Sequence, residues 1–112
     1  MQTAQQSMDG VFRALADPTR RQVLEQLSRS ATSVSQLAQP FDMALPSFVE
    51  HMKVLEGCGL VRSKKVGRVR TYELVPRRLQ LAENWLNKQR VFWERRLNQL
   101  DKYLLELKEK DT

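Results

Sequence analysis

A chain of 112 residues, 41% apolar and 29% charged, is long enough for one domain that buries about two thirds of its unfolded surface, and too apolar to remain disordered. The single Cys excludes an internal disulfide, no apolar run approaches the roughly 18 residues of a membrane helix, and MQTAQQSMDG lacks the order of an export signal. The reading is therefore a cytoplasmic protein with no membrane partner, and its net charge of +6 directs attention to where the basic residues lie.

Met8, Val11, Phe12 and Leu15 recur at helical spacing, which predicts a first short helix over about 8–16 behind a frayed polar tail. Asp17-Pro18 restarts the chain: Asp can accept the free amides of a second helix while Pro occupies its first turn, where a missing N–H costs nothing. Val23, Leu24 and Leu27 face inward from it. Ser33-Val34-Ser35-Gln36 has the form of a capping box and opens a very short third helix that Pro40 closes.

A fourth helix follows after a tight connection, running through Leu45-Pro46-Ser47-Phe48-Val49-Glu50-His51-Met52-Lys53-Val54-Leu55 to the glycines Gly57 and Gly59. Leu45, Phe48, Met52 and Leu55 form its inward stripe, which leaves Ser47, Glu50, Lys53 and Val54 outside and Val49 and His51 on the flanks. Two β-favouring runs, Val61–Val66 and Val69–Leu74, are then separated by Gly67-Arg68, a two-residue hairpin signal. In that register Val61 meets Leu74, Arg62 meets Glu73, Ser63 meets Tyr72 and Lys65 meets Arg70.

The hairpin carries most of the charge imbalance. Arg62, Lys64, Lys65, Arg68 and Arg70 fall between Val61 and Tyr72 without an acid, whereas outside that segment 14 basic residues nearly balance 13 acidic ones. Such concentration points to a polyanion, and a helix followed by a basic hairpin suits duplex DNA. The helix fits the major groove, where each base pair displays its own donors and acceptors, and the hairpin sets cations against phosphate. From Arg77 to about Lys110 a long helix without Gly or Pro carries Leu79, Leu86, Trp93, Leu100 and Leu107 at intervals of seven, with Leu97 and Leu104 widening the stripe. At 1.5 Å per residue it is ~50 Å long, more than one small domain can cover, so the apolar side is expected to meet a second copy together with the first helix.

These elements make a single domain over 1–112, mainly α with a two-stranded β-hairpin: a winged helix-turn-helix with a DNA-binding core at 8–76, a wing at 61–75 and a dimerisation helix at 77–110. Three words in order, Phe12-Arg13-Ala14-Leu15-Ala16-Asp17-Pro18-Thr19-Arg20, His51-Met52-Lys53-Val54-Leu55-Glu56 with Gly59-Leu60-Val61, and Gly67-Arg68 with Tyr72 and Leu74, resemble the ArsR/SmtB family of bacterial transcriptional repressors over nearly the whole length. The resemblance implies a homodimer on a pseudo-palindromic operator that leaves when an inducer binds. Family members that sense metals use a Cys-x-Cys pair in the third helix or Asp and His clusters in the last. This chain has neither, so no metal and no cofactor is expected, and it looks closer to the non-metal branch with Pro40-Phe41-Asp42-Met43.

The expected DNA-binding set is Ser47, Val49, Glu50, His51 and Lys53 on the fourth helix, Arg20 on the second, and Arg62, Lys64, Lys65, Arg68 and Arg70 in the wing. The expected dimer interface is Val11, Phe12, Leu15, Leu86, Trp93, Leu97, Leu100 and Leu104. Relatives often carry Ser at 44 and 49 and a base at 50, so Ala44 forgoes a cap and Glu50 suits cytosine N4 rather than phosphate. His51 is read as touching phosphate or packing under the wing. Cys58, beside a helix C-terminus, is read as inert, and Trp85, Phe92 and Trp93 as dimer core rather than a ligand pocket. No nucleophile, base and orienting acid converge, so an enzyme is not expected. A winged-helix module that binds protein and has lost DNA reading is the alternative, with Glu50 as its clue. The inducer and operator are left unidentified.

Overall fold

A computed structural model describes residues 4–111. Its elements run α1 (Ala4–Leu15), α2 (Pro18–Leu27), β1 (Thr32–Ser33), α3 (Val34–Ala38), α4 (Leu45–Gly57), β2 (Val61–Val66), β3 (Val69–Leu74) and α5 (Pro76–Lys110). The chain divides into two units, one ending at Ala82 and the other beginning at Glu83. The first unit holds α1 to α4, the sheet and the opening of α5; the second is the remainder of α5. Among the described residues no helix is long and apolar enough to cross a membrane.

α1 begins at Ala4, four residues ahead of the expected start, because Ala and Gln are good helix formers and extend the amphipathic turn backwards. The first three residues of the expected tail lie outside the described residues. α2 starts as its sequence requires: Asp17 is extended, φ −105° and ψ 131°, and its carboxylate accepts from the Arg20 amide at 3.0 Å. Ser33 likewise accepts from the Gln36 amide at 3.3 Å, the acceptor half of the capping box, and its hydroxyl also lies 3.3 Å from that of Ser35.

In α4, Phe48, Met52 and Leu55 are fully buried, each apolar side chain of that size contributing about 1.5–3 kcal/mol relative to exposure. Leu45 departs from the expected stripe and is 55% exposed. It is the first helical residue, and a helical side chain leans toward the N-terminus, so Leu45 overhangs the end of the helix where no packed turn lies beneath it. The C-terminus closes in a Schellman motif: the Leu60 amide donates to the Leu55 carbonyl at 3.0 Å and the Gly59 amide to that of Glu56 at 3.1 Å. Gly59 supplies the required left-handed residue, φ +79°, while Gly57 stays within the helix. Arg78 lies across Gly59, where an added Cβ would come within 2.8 Å of its side chain.

The hairpin register is the expected one, from Val61 opposite Leu74 to Val66 opposite Val69. Only Gly67 of the two turn residues has positive φ, +62°, as a type II′ turn requires. The expectation of two strands needs correction, because β1 joins β3 with Thr32 opposite Tyr72 and Ser33 opposite Thr71, giving the order β1-β3-β2. A two-residue strand is too short to display any alternation. Val11 and Ala14 of α1, Val23 of α2, Leu37 of α3, the α4 stripe, Leu60, Val61 and Tyr72 close into one core.

Candidate nucleic-acid interface

The outward side of α4 carries Ser47, Glu50 and Lys53 exposed, with Val49 and His51 half-buried. Lys53 Nζ donates to Glu50 Oε1 at 3.2 Å, one turn along the same face. The pair is well exposed and adds little stability, and it sets a cation beside the acid on the outward face. No side chain caps the first turn of α4, because Ala44 stands at the cap position in extended conformation.

His51 meets Arg20 and Asp17 of the α2 start, and Arg20 is engaged within the protomer. Arg20 donates through Nε to the Ala14 carbonyl at 2.8 Å and through Nη2 to that of Arg13 at 3.1 Å, while Nη1 lies 3.1 Å from His51 Nδ1. A guanidinium there requires His51 Nδ1 to be the unprotonated acceptor. Arg21 adds a bond to the Leu15 carbonyl at 2.6 Å. Both arginines therefore satisfy the last carbonyls of α1, whose partial negative charge favours cations. Asp17 Oδ2 sits 3.7 Å from His51 Nδ1. Burial works to raise the Asp17 carboxyl, but the Arg20 amide and the neighbouring positive charge outweigh it and hold the group below its ordinary value.

Alternation divides the wing into two faces. Arg62, Lys64 and Val66 share one with Glu73, Thr71 and Val69; Ser63 and Lys65 share the other with Tyr72 and Arg70. Arg62 pairs closely with Glu73, so the strong field of the wing comes from Lys64, Lys65, Arg68 and Arg70, all exposed. On the second face Arg70 Nη1 donates to Ser63 Oγ at 2.8 Å, and Ser63 Oγ donates to Glu56 Oε1 at 2.8 Å. Glu56 belongs to the last turn of α4, so this chain of bonds ties the wing to the helix. Burial, with the Glu56 charge adding to it, raises the Tyr72 phenol. Sequence reasoning missed Glu56 and Ser63, seven residues apart across a helix end and a strand, because no local pattern joins them.

Cys58 is half-buried, its thiol donating to the Leu55 carbonyl at 3.3 Å and pushed up by burial. Arg78 donates to the Cys58 carbonyl at 3.3 Å, a further cation at the α4 C-terminus. Among the described residues no group of three His, Cys, Asp or Glu stands close enough to hold a metal ion.

Of the residues expected at a dimer interface, Val11 is fully buried inside the protomer and has no surface left for a partner, whereas Phe12 and Leu15 are half-buried. In the second unit Leu86, Trp93, Leu97, Leu100 and Leu104 are each at least half exposed. Phe92 meets Trp93 edge to face, centroids 5.9 Å apart, and Arg96 lies 5.4 Å over the Phe92 ring.

A three-helix core, a helix with a polar outer side and a basic hairpin bonded to its end define a winged helix-turn-helix, a class that binds DNA. Residues 15–64 match the model of a helix-turn-helix domain. A solved ArsR family transcriptional regulator is 49% identical and superposes with a TM-score of 0.77, covering 84% of this chain and 97% of that one. The HTH-type transcriptional regulator Rv2034 of Mycobacterium tuberculosis is 35% identical over 81% of this chain and 82% of its own. The transcriptional repressor SdpR of Bacillus subtilis is 30% identical over 70% and 88%. A homodimeric winged helix-turn-helix DNA-binding domain from Mycobacterium bovis is 25% identical, with a TM-score of 0.60 over 80% of this chain and 81% of its own. This chain belongs to the ArsR family of winged helix-turn-helix transcriptional regulators.

Proposed function

We propose that the protein is a dimeric repressor that binds a pseudo-palindromic operator, with α4 of each copy in a major groove and each wing on the adjoining backbone. The observation that carries this reading is the chain of bonds from Arg70 through Ser63 to Glu56, which holds the basic strands and the groove-facing helix as one body. Ser47, Val49, Glu50 and Lys53 face the bases, and Lys64, Lys65, Arg68 and Arg70 the phosphates. Half-sites about one helical turn apart, ~34 Å, follow from two-fold symmetry. Repression agrees with what the Bacillus relative is named for, and dimerisation with the assembly of the Mycobacterium bovis domain.

The alternative, a protein-interaction module, rests on Glu50, whose carboxylate is paired with Lys53 on the same face.

Binding to fragments of the host genome, measured by fluorescence anisotropy across a salt series, tests the reading. The logarithm of affinity should fall linearly with the logarithm of salt, and Arg68→Ala with Arg70→Ala should weaken all sequences and lower the slope by about 0.9 for each phosphate no longer neutralised. Unchanged affinity and slope would refute the wing assignment. No binding to any fragment at moderate salt would favour the interaction module.

A further inference from the structure

Leu45 is the most exposed large apolar residue on the described helices of the first unit, at 55%, and it opens the helix proposed to enter the groove. Ser35, Gln36, Ala38, Gln39 and Phe41 line an open depression with it, and that depression still leaves more than half of the side chain in solvent.

The direction of the side chain matters more than its exposure. Cβ of the first helical residue leans beyond the helix end, and the N-terminal residues of a recognition helix are the ones that reach base edges. Val49 lies one turn further on the same side and is half-buried, whereas Ser47 and Glu50, both exposed, lie further round the helix from the pair. An apolar side chain in a groove otherwise lined with donors and acceptors has one natural target, the C5-methyl group of a pyrimidine.

We propose that Leu45 is a specificity-determining residue that contacts a thymine methyl group in each half-site, with Val49 behind it. The proposal rests on the DNA-binding reading and adds the base class that the uncapped end of α4 selects. A 5-methylcytosine at the same position presents the same methyl and would be accepted there.

The test uses the full chain and a high-affinity duplex recovered from bound genomic fragments. Each thymine is replaced in turn by deoxyuridine, which removes only the methyl, and affinities are measured for the wild type and for Leu45→Ala. At one thymine per half-site the wild type should lose about fourfold, the value of one buried methyl, while Leu45→Ala should start weaker and show no further loss. The variant should keep the wild-type salt slope and melting temperature, since an exposed side chain is removed. A wild type indifferent to every replacement, or a Leu45→Ala protein that remains equally sensitive, overturns the role of Leu45 while the DNA-binding reading stands. If no fragment is bound at all, both fall together.

Discussion

Arg20 would serve phosphate well by charge alone, yet three of its donors meet partners inside the protomer: two α1 carbonyls and His51. The reason is geometric. The α1 carbonyls need donors, and the Asp17-Pro18 restart places Arg20 within one turn of them. Asp17 joins the same cluster as an ionised acceptor held below its ordinary pKa. A carboxyl depressed in the fold contributes stability that is complete above its unfolded value and lost as pH falls through the folded one, that is, below about pH 4. Asp17→Asn keeps a capping oxygen but cannot titrate. Its unfolding free energy, followed by circular dichroism in denaturant between pH 5 and 2, should therefore fall less steeply than the wild type's. An identical slope would place the acid sensitivity elsewhere.

The two ends of α4 differ in how completely their backbone groups are satisfied. The C-terminus has the Schellman bonds, the left-handed Gly59 and Arg78 donating to Cys58, whereas the N-terminus has Ala44 and no side-chain acceptor. Ala44 already has the extended backbone of a capping residue, so Ala44→Ser requires no rearrangement and should stabilise the protein by about 0.5–1 kcal/mol, a few degrees in melting temperature by calorimetry. A melting temperature unchanged or lowered would mean that the first amides of α4 already have a better partner. At this scale much was legible in the sequence. Caps, glycine stops and the hairpin register depend on neighbours within a few residues, and Arg62 opposite Glu73 followed from the turn alone. β1 was not legible, since it exists only because Tyr72 and Thr71, some forty positions later, offer it an edge.

The whole molecule raises the question of what covers the apolar stripe of the second unit. Trp93, Leu97, Leu100 and Leu104 are all exposed by more than half, on a helix whose spacing suits a helical partner. Burial against a second copy predicts that Leu100→Asp or Trp93→Asp yields monomers in sedimentation velocity and lowers operator affinity, because only a dimer engages both half-sites. A wild type that sediments as a monomer at micromolar concentration would remove this interface, and a dimeric Leu100→Asp would move it elsewhere along the chain. In the proposed interface, α1 could offer Phe12 and Leu15 but not Val11, which belongs to the core.

The amino-acid sequence by itself determined the order of the five helices and the hairpin, the caps and glycine stops, the strand register of the wing and the place where positive charge gathers, because each is written in residues close together along the chain. Tertiary structure alone decided what the side chains meet. It bound Arg20 to α1, paired Arg62 with Glu73, linked Arg70 through Ser63 to Glu56 and left Leu45 in solvent, because hydrogen-bond partners and burial are settled by segments that meet only when the chain has folded.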